Sequence, residues 1–161
     1  KAILMTATGG PEVLKLADIP LPELPSADHI RVRLRAAGIN PLDTKLRKTA
    51  AYHPDKLPCV LGCDGAGVVE SVGANVHRFT PGDEVYFFNG GLGLDQGNYA
   101  EYTVVHQDYV AFKPRHATME EAAALPLVFI TATLKSPAIR VKAIWSPRGL
   151  HSGVAQRPPK S

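Results

Sequence analysis

The chain has 161 residues, 45% hydrophobic and 20% charged, a globular composition long enough for one domain with its own core. It contains no run of eighteen apolar residues, and its start, KAILMTATGG, lacks the hydrophobic stretch of a signal peptide, so no bilayer span and no membrane partner are expected. The formal charge of +3 is divided: residues 1–131 carry 12 Lys and Arg against 15 Asp and Glu, whereas residues 132–161 carry six basic residues and no acid. The excess of positive charge therefore belongs to the last thirty residues, and a nucleic-acid partner for the whole chain loses its main support.

The first 113 residues read as strands and turns. Ala2–Thr8 and Val13–Ile19 flank Gly9-Gly10-Pro11, a hairpin signal, and Pro20, Pro22 and Pro25 then break any ladder. HIRVRLRAAGI alternates: Ile30, Val32 and Leu34 share one side, and Arg31, Arg33 and Arg35 share the other. Three arginines on one strand face suit either a phosphate or plain solvent, and the solvated face is the expected state. Asp43–Lys48 predicts a short helix. Ala66–Ser71 and Glu84–Phe88 read as strands with the turn TPGD at 80–83 between them, and residues 89–98, with four glycines, read as a loop. YAEYTVV and YVAFK are further strands. Thr118 and Glu121 have capping-box spacing ahead of AAAL, and after Pro126 the run LVFITATL predicts a second helix. No repeat occurs.

Chemistry-bearing patterns are few. Gly62, Gly65 and Gly67 of GCDGAG miss the G-x-G-x-x-G spacing, and Val68 and Val69 favour strand where a nucleotide loop needs a helix. They read as permitting a tight turn and close backbone approach. No G-x-S-x-G occurs, and no serine stands in a turn with an obvious histidine partner, so a hydrolase reading fares worse. Cys59 and Cys63 fit neither a disulfide framework nor a zinc knuckle, so a reducing, cytoplasmic setting is expected. Cys63 with Asp64 and His53 offers donors for a metal, but a lone cysteine is more often a small apolar filler, and no zinc is expected.

Five blocks carry a resemblance: AAGINPLDTKLR, YHPDKLPCVLGCDGAGVVESVG, VHRFTPGDEVYFF, GNYAEYTVV and EEAAALPLVFITA. In this order and spacing they resemble the medium-chain dehydrogenase/reductase superfamily, nearest its zinc-independent quinone oxidoreductase (zeta-crystallin-like) branch, over about residues 1–133. The resemblance implies a mainly β (α+β) fold over 1–131, a GroES-like irregular β-barrel with a few short helices. It implies hydride transfer from NADP(H) to a small quinone or an activated double bond. It also implies that the position of the zinc-dependent relatives' first ligand is taken by Asn40–Asp43, and that of their histidine by Cys63.

Without zinc, hydrogen-bond donors must steady the charge developing on the carbonyl oxygen, and each is worth ~3 kcal/mol. The resemblance places Asn40 and Tyr52 along the nicotinamide and substrate cleft, with Asp43 orienting its neighbours. It sets Asn40, Leu125, Pro126 and Thr131 beside the cofactor. Read as residues alone, Asn40 is equally a turn residue before Pro41, and Tyr52 a loop aromatic.

After residue 131 the sequence changes. TLKSPAIRVKAIWSPRGLHSGVAQRPPKS holds four prolines and no carboxylate, where a strand, a glycine-rich phosphate turn and a helix would complete a Rossmann domain. No complete Rossmann domain is expected. Residues 132–161 read as a basic, proline-rich tail of a truncated or frame-altered family member. The alternative to an oxidoreductase is a non-catalytic barrel that binds partners or itself. Self-association is expected where apolar surface near Leu127–Ile130 loses its cover.

Overall fold

A computed structural model describes residues 1–49, 54–91 and 96–135. The first hairpin forms as its turn residues demand. β1 (Ala2–Met5) runs antiparallel to β2 (Leu14–Ala17), with Met5 opposite Leu14, and a 3-10 turn at Pro11–Val13 occupies the expected start of the second strand. β3 (His29–Gly38) follows the proline-rich segment, and α1 (Pro41–Thr49) follows β3. A two-residue strand that periodicity could not reveal, β4 (Cys59–Val60), adds to the free edge of β1. β5 (Asp64–Val72) and β6 (Glu84–Phe88) are joined through the TPGD turn, where the Asp83 carboxylate accepts the Thr80 N–H at 2.8 Å. β7 (Tyr102–His106), β8 (Val110–Phe112), α2 (Met119–Ala123) and α3 (Pro126–Lys135) complete the described elements.

The strands form two sheets, β2-β1-β4 and β7-β3-β5-β6-β8, bridged where Ala2 meets Ala100 and the Ile3 N–H reaches the Tyr99 carbonyl at 2.7 Å. The long pair β3–β5 sits at the centre and carries two register shifts, at Arg31/Val32 and Leu34/Ala36, which curl the sheet. The alternation read in β3 holds. Ile30 and Val32 are fully buried, whereas Arg33 and Arg35 are exposed. Arg31 pairs with Glu70 on β5 and donates to the Pro22 carbonyl at 3.1 Å, so it is spent within the fold rather than offered to a phosphate.

The main core is Ile30, Val32, Val69, Phe79, Val85, Phe87 and Val105, side chains whose burial is worth roughly 1.5–3 kcal/mol each. A second cluster, Met5, Leu46 and Leu61, seats α1 against the small sheet. A third, Ala66, Ala122 and Ala123, lets α2 lie close on β5.

The capping box opens α2 as read. Thr118 Oγ1 accepts the Glu121 N–H at 3.2 Å, and Glu121 Oε2 accepts the Thr118 N–H at 2.8 Å. α3 continues through residue 135, and the remainder of the basic tail lies outside the described residues.

Candidate functional site

Asn40 closes β3's excursion and stands just before Pro41, which opens α1 with the fixed φ that a first helical turn accepts. Its side chain does not cap that helix. Instead Asp43 reaches back, and Oδ2 accepts the Asn40 backbone N–H at 2.7 Å. Freed from capping, the Asn40 amide donates Nδ2–H to Asp64 Oδ2 at 2.9 Å. Asp64 is the first residue of β5, and its other oxygen, Oδ1, accepts the Leu127 backbone N–H at 2.9 Å, in the first turn of α3. Asn40, Asp43 and Asp64 are all buried.

Two glycines make the approach possible. Gly38 lies opposite Asp64 in the β3–β5 ladder, and a Cβ on it would meet the Ala123 carbonyl oxygen at 2.5 Å. Gly62, at φ +97°, turns the chain toward Asp64, and the ring of Tyr99 would overlap any side chain there.

The electrostatics follow from burial. Desolvation raises the Asp64 pKa, the hydrogen bonds from Asn40 and Leu127 pull it down, and the Asp43 charge pushes it up again, for a net rise. The Cys63 thiol is fully buried and pushed up to about 12, first by desolvation and then by Asp43 and Asp64. Tyr99 is raised as well, by desolvation and by the neighbouring Asp43. The Tyr99 hydroxyl and Asp43 Oδ1 are sealed from solvent, and among the described residues neither completes a hydrogen bond of good geometry.

The expected site residues distribute as follows. Asn40 and Asp43 come together, and the first turn of α3 reaches them through Asp64. Pro126 is buried, Leu125 half-buried and Thr131 exposed. Tyr52 and His53 lie outside the described residues. Asp64, weighed in the sequence only as a metal donor beside Cys63 and His53, is the residue that joins the parts. The signal that finds it is a lone carboxylate opening a strand whose next three residues, Gly65, Ala66 and Gly67, are all buried. Tyr99, expected within the strand YAEYTVV, stands ahead of β7, which begins at Tyr102. Among the described residues, no group of three or more His, Cys, Asp or Glu is arranged to hold a metal ion.

Two wrapped sheets with short helices, and a polar cluster where β3, β5 and α3 meet, define a mainly β, GroES-like domain. Residues 26–115 match the alcohol dehydrogenase GroES-like domain family, and the chain belongs to it. Quinone oxidoreductase of Sus scrofa is 35% identical over 134 residues, 83% of this chain and 39% of the relative. The 2-methylene-furan-3-one reductase of Solanum lycopersicum is 41% identical over 82% of this chain and 35% of its own length. Among solved structures, Escherichia coli quinone oxidoreductase complexed with NADPH superposes with a TM-score of 0.72 at 32% identity, over 83% of this chain and 40% of that one. The chain thus spans about 39% of the length of the first curated relatives it matches.

Proposed function

We propose that this chain provides the substrate-side wall of an NADP(H)-dependent, zinc-independent oxidoreductase that reduces a quinone or an activated double bond. The observation that carries the reading is the buried Asn40, its backbone N–H held by Asp43 and its side-chain amide by Asp64 beside the start of α3, in a domain whose relatives are named quinone oxidoreductases and a furanone reductase.

The residues fit the nicotinamide end of the cofactor. NADPH, when bound, supplies a hydride. Asn40, Leu125, Pro126 and Thr131 would flank it. One N–H of the Asn40 amide is engaged by Asp64, and the second would donate to a carbonyl oxygen as negative charge develops there. Tyr52 would add a phenolic donor. Asp43 and Asp64 accept hydrogen bonds from backbone and amide, a role that orients donors rather than moves protons. Two buried carboxylates repel phosphate, so the pyrophosphate would lie away from this cluster. Cys63 is fully buried and packs as a small apolar side chain, which supports a metal-free site. Two free thiols are consistent with a reducing, cytoplasmic setting, and no helix among the described residues is long and apolar enough to cross a membrane.

A second reading, a non-catalytic barrel that associates with itself, is favoured by α3, where Val128, Phe129 and Leu134 are 49%, 53% and 82% exposed. One experiment separates the two. The purified 161-residue chain is titrated with NADPH by fluorescence, assayed for NADPH oxidation with a quinone acceptor, and sized by sedimentation. Saturable NADPH binding with turnover above buffer supports the oxidoreductase. A concentration-dependent oligomer blind to NADPH supports the barrel.

A further inference from the structure

We infer that Asp64 is the positioning residue of this site: its carboxylate, accepting at both oxygens, decides which end of the Asn40 amide faces the strand and locks that choice to the first turn of α3. The inference rests on the proposed site at Asn40, but its geometry stands apart from any activity.

An ionised carboxylate only accepts hydrogen bonds, whereas an amide donates at one end and accepts at the other. With Asp64 Oδ2 2.9 Å from Nδ2, the Asn40 amide must turn its nitrogen to Asp64, and planarity carries Oδ1 to the opposite side of Cγ. The second oxygen of the same carboxylate holds the Leu127 N–H at 2.9 Å. That N–H is one of the donors a helix leaves open at its start, and an anion there is favoured by the helix dipole.

One side chain therefore joins residues 24 and 63 positions away in sequence, and neither contact can shift without disturbing the other. Other groups around Asp64 do not substitute for it. Asp43 on α1 is engaged with the Asn40 backbone. Cys63 is a protonated thiol, Tyr99 stands by Asp43, and the first turn of α3 carries no acid. Placing a second carboxylate next to Asp43 in a buried cluster opposes folding unless it is well satisfied. The position thus trades stability for a fixed amide.

The test uses the full chain, isotopically labelled, with NMR as the readout. In Asp64→Asn, the new side-chain N–H₂ would oppose that of Asn40. The Asn40 amide should turn over, moving its side-chain N–H₂ resonances and their contacts, while Leu127 keeps an acceptor. In Asp64→Ala, the Leu127 N–H should exchange at least tenfold faster. The double swap Asn40→Asp with Asp64→Asn rebuilds the hydrogen bond between positions 40 and 64 with donor and acceptor exchanged and leaves an oxygen at position 64 for the Leu127 N–H, so Leu127 protection should stay at the wild-type level.

NADPH titrations on the same samples should show affinity lowered in Asp64→Asn and not recovered in the swap, which presents a carboxylate where the wild type presents an amide. Unchanged Asn40 resonances in Asp64→Asn, or unchanged Leu127 exchange in Asp64→Ala, would overturn the inference. If Asp64→Ala does not fold, the Asn variant and the swap decide it. A wild-type chain that binds no NADPH would sink the proposed function, while the amide and exchange data still judge Asp64.

Discussion

A methyl group on Gly38 would stand 2.5 Å from the carbonyl oxygen of Ala123 and 2.9 Å from Cβ of Asp64. The first is a backbone atom and the second belongs to a side chain pinned by two hydrogen bonds, so neither yields easily. Gly38→Ala should destabilise the domain by about 1–3 kcal/mol, the usual range for overpacking a tight interior. Urea unfolding followed by circular dichroism reads this as a lower midpoint at unchanged slope. A midpoint equal to wild type would mean that α2 does not press on β3 as described.

The reciprocal Thr118–Glu121 bonds predict a second, smaller effect. Thr118→Ala removes the acceptor for the Glu121 N–H, and losing an N-cap oxygen costs about 1 kcal/mol. Thr118→Ser keeps the oxygen and should stay close to wild type. Comparing their unfolding midpoints separates the cap from a simple loss of packing, since Ser and Ala both lack the threonine methyl.

How much of this could be read in the sequence follows from the range of each signal. The alternation of Ile30, Val32 and Leu34, the capping box, and the turn residues at 9–11 and 80–83 are local, and the structure places strands, helix start and turns there. Pairing over long sequence distances is not local. β4 has two residues and no period of its own, and it exists because β1 offers an edge. The Asp64 clamp has the same origin. GCDGAG shows a carboxylate among small residues, but its partners, Asn40 and Leu127, come from other elements. The order of motifs carried the family where periodicity could not, and the match over residues 26–115 agrees with it.

The two cysteines make a prediction about reactivity. The thiolate is the nucleophile. Cys63 is fully buried with its pKa pushed up to about 12, and the half-buried Cys59 is also raised by desolvation. In native protein at pH 8, Cys63 should resist a maleimide or a disulfide reagent over hours, Cys59 should react slowly, and both should react within minutes in denaturant. Mass spectrometry of digested samples assigns each thiol. Rapid native labelling at Cys63 would contradict its burial beside Asp43 and Asp64.

Asp64 also sets a pH dependence whose sign can be worked out. Burial, the largest cause, and the Asp43 charge together outweigh the bonds from Asn40 and Leu127, so its folded pKa lies above the ordinary 3.8. Between the ordinary and the raised value, the native state holds a proton that the unfolded state has lost. Stability contributed by this group is therefore greatest below the ordinary pKa and falls as pH rises through the raised one. Glu101 and Glu120, lowered mainly by hydrogen bonds, work in the opposite direction, but they are common to wild type and variant and cancel in a difference. Asn does not titrate. The stability of wild type minus that of Asp64→Asn should thus decline as pH rises above the ordinary value of 3.8, measured as paired urea midpoints at half-unit steps. A difference that grew with pH would mean that the hydrogen bonds to the ionised carboxylate outweigh its desolvation. The site would then hold Asn40 in place without loss of stability, and the trade described for Asp64 would be wrong.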